Sequence, residues 1–388
     1  MLKKIFHSLV FSVVIVHIAI CSEFFDGTPM WEYLTYLLEL CFLILGVQCF
    51  ISDIKLNRLE KLSVLYFIFL FILTIIYGNF STNLLPLIGR TLEIAILLMI
   101  IRLNEKDLYF YLFIGSVVFS ACVYINFYYL LLNPLGFPSS EGEVFYFLGT
   151  NYNQIGPKVM FAFLFSVLLT YRYKIAIINV FAVAAIGMTS LIMVNSMTSA
   201  VCISVLLLVY LTSWIRGIKK IILCSLLFFI LSFQIFIVFF GNALNTKDSN
   251  LFLDLIGKEA TFTGRTELWS YSADYFLDSP LWGHGYISAK NYYDSGFFHG
   301  IKKTSHNYIY NILHKGGIIL LLLIYQLVAI SYKKIKKKVY DNNVYIIVLT
   351  GVMLMMMSLF EIYDTIYVYL LLIFMYYHDN LNIVIEKK

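Results

Sequence analysis

Arginine and histidine are the side chains of this sequence best placed to do chemistry. The stretch 241–305 is its only long polar run, and four of the seven histidines (His284, His299, His306 and His314) lie in it or just after it. Arg265 stands where Leu268, Trp269, Tyr271, Tyr275 and Phe276 take up helix-like spacing, so a helix beginning near Arg265 is predicted, lying along a membrane surface. Asp278-Ser279-Pro280 then breaks it, and Gly283-His284-Gly285 reads as a turn. A guanidinium grips phosphate oxygens with a planar fork and never loses its charge. An imidazole, with an unperturbed pKa near ~6.5, can accept a proton at neutral pH. Anion binding and proton transfer are therefore the chemistry on offer. His299, His306 and His314 do not carry a zinc spacing, so no metal and no cofactor is expected.

Three further ionised residues fall inside or at the ends of apolar runs. Arg90, in Gly89-Arg90-Thr91-Leu92-Glu93, has Glu93 three residues on, within reach on a helix face. A bare Arg near a bilayer centre costs roughly 2.5–3.5 kcal/mol on insertion scales, so Arg90 must face other helices or a wet cavity. It reads equally as a structural ion pair and as a diphosphate ligand. Lys158 reads as a phosphate contact or as a side chain reaching to headgroups. Lys315 is the third.

The elements that must position these residues are membrane helices. Of 388 residues 61% are hydrophobic and 13% charged, with a mean hydropathy of +0.83. A soluble domain carries about 25% charged residues, so a large water-soluble catalytic domain is excluded. Twelve apolar runs are evident, near 5–22, 33–51, 62–80, 84–101, 108–132, 155–171, 175–194, 198–215, 221–240, 306–330, 343–360 and 363–377. Most match the roughly 17–25 residues that span a bilayer as helix, and lipid leaves the backbone no partner outside its own segment. The expected fold is all-α: a polytopic transmembrane helix bundle of about twelve spans with one large periplasmic loop. The units are an N-terminal bundle of about nine spans (1–240), the loop (241–305), and C-terminal helices with a tail (306–388).

Charge sets the orientation. With the N-terminus cytoplasmic, 19 of the 28 basic residues fall in inner segments, including the run Lys333–Lys338, and the short outer loops hold none. That is the positive-inside pattern, and it places both termini in the cytoplasm. The net charge of +5 is thus a topology signal and not a nucleic-acid surface. The six cysteines all fall in apolar runs and form no disulfide framework. The N-terminal run lacks a small-x-small cleavage site and reads as the first span.

Over 264–317 the motifs G-R-T-E-L-W, D-S-P-L-W-G-H-G-Y and S-H-N-Y-I-Y-N-I-L-H-K-G-G resemble, in order and spacing, the O-antigen polymerase and O-antigen ligase superfamily. The resemblance implies transfer of a polyprenyl-diphosphate-linked oligosaccharide to a sugar hydroxyl on the periplasmic face of a bacterial inner membrane. It gives Arg265 the diphosphate and His306 the attacking hydroxyl's proton, and Asn307 fits the same motif. Asn307, and His284, Arg90 and Lys158 from their own sequence settings, are the substrate-binding candidates. Arg265 as a headgroup-facing surface residue, His306 as a cap on a span and His284 as a plain turn histidine stay open beside those roles. Many members also carry a Ser-Arg pair near mid-chain, where this sequence reads Asn195-Ser196-Met197-Thr198-Ser199-Ala200, without Arg. The expected partners are the lipid-linked donor and acceptor and the bilayer, and the resemblance allows a chain-length regulator. Polymerase is the first expectation. Ligase, or a capsule or common-antigen polymerase, comes second. A flippase would need more buried charge than Arg90, Glu93, Lys158 and Glu39 supply, and a receptor or scaffold would need neither Arg265 nor His306.

Overall fold

The structure is a computed structural model describing residues 2–20, 22–25, 29–77, 80–138, 144–212, 215–240, 265–286, 306–361 and 363–379. Within these, the side chains of residues 2, 23, 80–82, 216, 236–240, 265–268, 270 and 271 lie outside the description. Each apolar run folds as helix, because only helix pairs every backbone group within its own segment. The order is α1 (Leu2–Ala19), α2 (Met30–Ile51), α3 (Arg58–Tyr77), α4 (Phe80–Leu103), α5 (Leu108–Leu132), a hairpin of β1 (Phe137–Pro138) and β2 (Val144–Phe145), then α6 (Ile155–Thr170), α7 (Ala176–Met193), α8 (Met197–Leu211) and α9 (Arg216–Phe240). After the long polar stretch begins come α10 (Arg265–Asp278), α11 (Tyr308–Ile335), α12 (Asn342–Ser358) and α13 (Thr365–Tyr376).

The chain is therefore an all-α membrane bundle, with α10 as the helix predicted from Arg265 onward. Eight helices among the described residues are long and apolar enough to cross a membrane; α8, α12 and α13 are apolar but shorter. The sequence runs count residues beyond the helix ends, such as Tyr363, Asp364 and Tyr377 around α13. The 12 residues of α13 rise only about 18 Å against a hydrocarbon core of about 30 Å.

The core centres on α6, buried on every side from Ile155 to Leu169 among α5, α7, α8 and α12. Polar side chains where α5, α6 and α7 meet pair with one another. Asn179 Nδ2 donates to Ser116, Ser120 and Ser166 Oγ at 3.3, 2.9 and 2.7 Å, and Tyr124 donates to Asn179 Oδ1 at 2.7 Å. Such pairing ties α5, α6 and α7 together where a loose amide in hydrocarbon would be costly.

Long-range polar contacts gather at two ends of the bundle. One joins the start of α1 to the ends of α2 and α4: Lys4 meets Asp107 at 2.9 Å, and His7 meets Gln48 at 2.7 Å and Asn104 at 3.2 Å. Asn57 donates to Tyr377 there too, at 2.7 Å. The other joins the opposite ends of α3, α4, α6, α11 and α13, and holds most of the candidate site residues.

Candidate functional site

The framework of the site is a broken helix. At Gly316 (φ −150°, ψ 17°) and Gly317 (φ 59°, ψ −158°) α11 leaves helical geometry. A break strands backbone carbonyls and amides that must find other partners. The segment 279–286 supplies them. His284 and Gly285 amides donate to the carbonyls of His314 and Lys315 at 2.7 and 3.0 Å, while the Ile318 and Ile319 amides donate to Pro280 and Leu281 carbonyls at 2.9 and 3.4 Å. A Cβ on Gly283 would sit 2.6 Å from the Gly316 nitrogen and the His314 oxygen, and one on Gly317 would collide with the Leu281 carbonyl. The motifs D-S-P-L-W-G-H-G-Y and H-K-G-G are thus two halves of one backbone joint. Gly317→Ala should therefore destabilise the protein by about 1–3 kcal/mol, read as a lower melting temperature in detergent. Gly351→Ala, whose Cβ would find an ordinary 3.6 Å contact with Leu371, should melt like the wild type.

Docked on the joint is α10. Trp269 is buried against Phe233, Ala273, Tyr310 and Leu313. The Ser272 carbonyl lies 3.0 Å from His314 Nε2. The His284 ring stacks on Tyr275 at 3.9 Å, with Nε2 3.2 Å from the Tyr275 carbonyl. His284 is accordingly a turn residue that fixes α10 to the joint. Arg265 opens α10; its side chain lies outside the described residues.

His306 stands immediately before α11 with φ 46°, a left-handed conformation uncommon for a residue with a side chain. Asn307 caps the helix, its Oδ1 accepting from the Ile309 and Tyr310 amides at 3.0 and 3.2 Å. Its Nδ2 reaches Gln234 Oε1 at 3.1 Å and the Leu359 carbonyl at 3.4 Å. Asn307 is thus a cap and an anchor in this structure. His306 Nδ1 lies 3.1 Å from Glu361 Oε1, and Glu361 Oε2 accepts from Asn153 Nδ2 at 2.6 Å. A buried carboxylate fixed from one side and holding an imidazole nitrogen on the other orients the ring and leaves Nε2 for proton exchange.

Three residues further on, within about 11 Å of chain, Asp364 joins a second group. Its Oδ2 lies 2.6 Å from Arg90 Nε, and its Oδ1 caps α13 through the Ile366 amide at 3.2 Å. Arg90 Nη1 also reaches Glu93, at 2.8 and 3.0 Å, and Glu93 is paired with His17 from α1. Lys315, at the break in α11, sits over the Tyr286 ring at 4.4 Å and within electrostatic reach of Asp364 and Arg90. Burial, with the nearby carboxylates of Asp364 and Glu93, pushes the Tyr286 phenol up to about 12, so it stays a neutral hydrogen-bond donor. Lys158 goes elsewhere: it is buried, and its Nζ donates to the Leu148 carbonyl. It braces the loop before α6 and does not reach out to the headgroups.

Sequence reasoning missed Glu361, Asp364 and Asn153. The first two were visible as Glu361-Ile362-Tyr363-Asp364, two carboxylates in a very short gap between apolar runs. Lys315 carried a signal as one of three basic residues inside or at the edge of a run.

These features define a class: a multi-pass, all-α membrane protein with a His–carboxylate pair and an ionised cluster side by side at one end of its bundle. Residues 181–325 match the family described as O-antigen ligase, which supports the resemblance to the O-antigen polymerase and ligase superfamily, whose members are glycosyltransferase-like enzymes of surface-polysaccharide synthesis. The match runs from α7 into α11 and takes in Arg265, His306, Asn307 and the Gly316–Gly317 break; Arg90, Lys158, Glu361 and Asp364 lie outside it. A search of curated proteins finds no match.

Proposed function

We propose that the protein is a surface-polysaccharide polymerase of the bacterial inner membrane, joining polyprenyl-diphosphate-linked repeat units on the periplasmic face without a metal. Both termini and the basic end of the bundle, with Lys4 and Lys338, face the cytoplasm on this reading. The observation that carries it is the His306–Glu361 pair, one loop away from Arg90 and Asp364. In the reaction the acceptor sugar hydroxyl attacks the donor's anomeric carbon and the bond to the diphosphate breaks. His306 Nε2 takes the hydroxyl proton, with Glu361 steadying the imidazolium that results. Arg265, at the free amides of the α10 N-terminus, holds the departing diphosphate as its negative charge grows.

Ligase chemistry has the same leaving group, so the acceptor must decide. A ligase takes a bulky, heavily phosphorylated lipid A core, which favours basic residues near the acceptor entrance. The short outer loops carry none, and 133–154 carries Glu141 and Glu143 instead, which would repel that acceptor within a screening length of roughly 10 Å. Deleting the gene should accordingly leave lipopolysaccharide capped by a single repeat unit, as seen on a silver-stained gel, because ligation continues while elongation stops. Bare core with long glycan accumulating on the polyprenyl carrier would identify a ligase.

A further inference from the structure

The ionised cluster around Arg90 has a shape that a structural ion pair does not need. Arg90 is surrounded by protein, yet 38% of its side-chain surface remains open, and Asp364 keeps 28%. A salt bridge made only to hold helices would be closed off, since open surface beside an intramembrane charge brings water and weakens the pair. Arg90 lies ten residues into α4, and Lys315 seven residues after Tyr308 on α11, which puts both about 10–15 Å from their helix starts. The two are within electrostatic reach of each other, on the side of the bundle where α4 and α11 begin. The donors are divided. Nη1 of Arg90 is committed to Glu93, whereas Nε is held by Asp364, a half-buried carboxylate at a loop end. Asp364 has a second occupation, since Oδ1 caps α13 while Oδ2 holds Arg90. Losing the arginine would therefore not unravel the helix start. Lys315 is anchored at the helix break, its position set by the Gly285–Lys315 hydrogen bond and the Tyr286 ring.

We propose that Arg90 and Lys315 form a clamp for the diphosphate of a lipid-linked substrate, and that Asp364 is its resident counter-ion, displaced when the diphosphate enters. A diphosphate brings more negative charge and more acceptor oxygens than one carboxylate, so it can replace Asp364 on Arg90 Nε and engage Lys315 at the same time. Arg90 stays oriented throughout by Glu93, itself steadied by His17. The clamp rests on the polymerase reading and deepens it. That reaction uses two lipid diphosphates, and this cluster is a second basic site apart from the α10 N-terminus.

The test is direct binding of undecaprenyl diphosphate to the full chain in nanodiscs, with undecaprenol as the phosphate-free control and inorganic pyrophosphate as the soluble competitor. The clamp predicts effects of opposite sign. Arg90→Gln and Lys315→Gln should each weaken binding about tenfold or more. Asp364→Asn, which keeps a good helix cap, should tighten it severalfold and make inorganic pyrophosphate a better competitor. A purely structural ion pair predicts that all three variants lose thermal stability together and change affinity in the same direction or not at all, and that result would overturn the clamp while leaving the polymerase reading intact. No preference of the wild type for undecaprenyl diphosphate over undecaprenol would overturn both. Equal affinity for free pyrophosphate and the lipid form would rule out a lipid-linked substrate as the clamp's ligand.

Discussion

His306→Gln should lower the rate of glycan elongation by about 10²–10⁴-fold, the usual contribution of a positioned general base, while protein level and membrane insertion stay normal. Glutamine keeps a hydrogen-bonding group near Glu361 but cannot take a proton at neutral pH. Glu361→Gln should fall between wild type and His306→Gln, because the remaining amide oxygen can still accept from His306 Nδ1 but the neutral side chain no longer balances an imidazolium. Since the two residues act as one unit, the double variant should be no slower than His306→Gln alone. The measurement is the initial rate of chain growth at equal amounts of purified protein. Multiplicative losses would mean that Glu361 does not work through the histidine. A His306→Gln protein elongating at the wild-type rate would remove the general base altogether.

Arg265→Lys should cost about 10²–10³-fold in the same assay, the scale seen when a donor to a developing negative charge is lost. Lysine keeps the charge but not the planar fork that holds two phosphate oxygens at once. Charge alone would suffice if Arg265 merely touched headgroups, so a fully active Lys variant would reduce it to a surface anchor. Arg265 is the first residue of a 14-residue helix, fixed one turn later by the buried Trp269. A helix N-terminus favours anions through its amides and dipole, which is why an anion is expected beside Arg265.

Much of this arrangement was legible in the sequence, and the rest was hidden for physical reasons. Apolar length and charge spacing located the membrane helices, because lipid permits little else, and the spacing of Leu268, Trp269, Tyr271, Tyr275 and Phe276 located α10. His306 and Asn307 stood out in the sequence through their motif, as a proton acceptor and a substrate-binding candidate, whereas the capping role of Asn307 appears only in the structure. The partner of His306 was not legible. Glu361 lies 55 residues away, and nothing local in a short acidic loop says which helix start it will meet. The same holds for Asp364 and Arg90, which belong to helices at opposite ends of the chain. Lys158 deceived in the other direction. Lysine near a span end usually reaches for headgroups, but a loop carbonyl at Leu148 lay within reach of it inside the bundle. The Gly316-Gly317 pair could be read as a weak point in a span, but not as a joint with 279–286, since four backbone hydrogen bonds across two motifs leave no trace in side-chain pattern.

The central claim, that this site joins lipid-linked repeat units to one another, is tested most directly with purified protein in liposomes supplied with a polyprenyl-diphosphate-linked repeat unit and no other saccharide. The account predicts lipid-linked dimers and longer chains, one polyprenyl diphosphate released per bond formed, unaffected by strong chelation and lost with His306→Gln. Absence of any product until lipid A core is added, followed by transfer to that core, would contradict it.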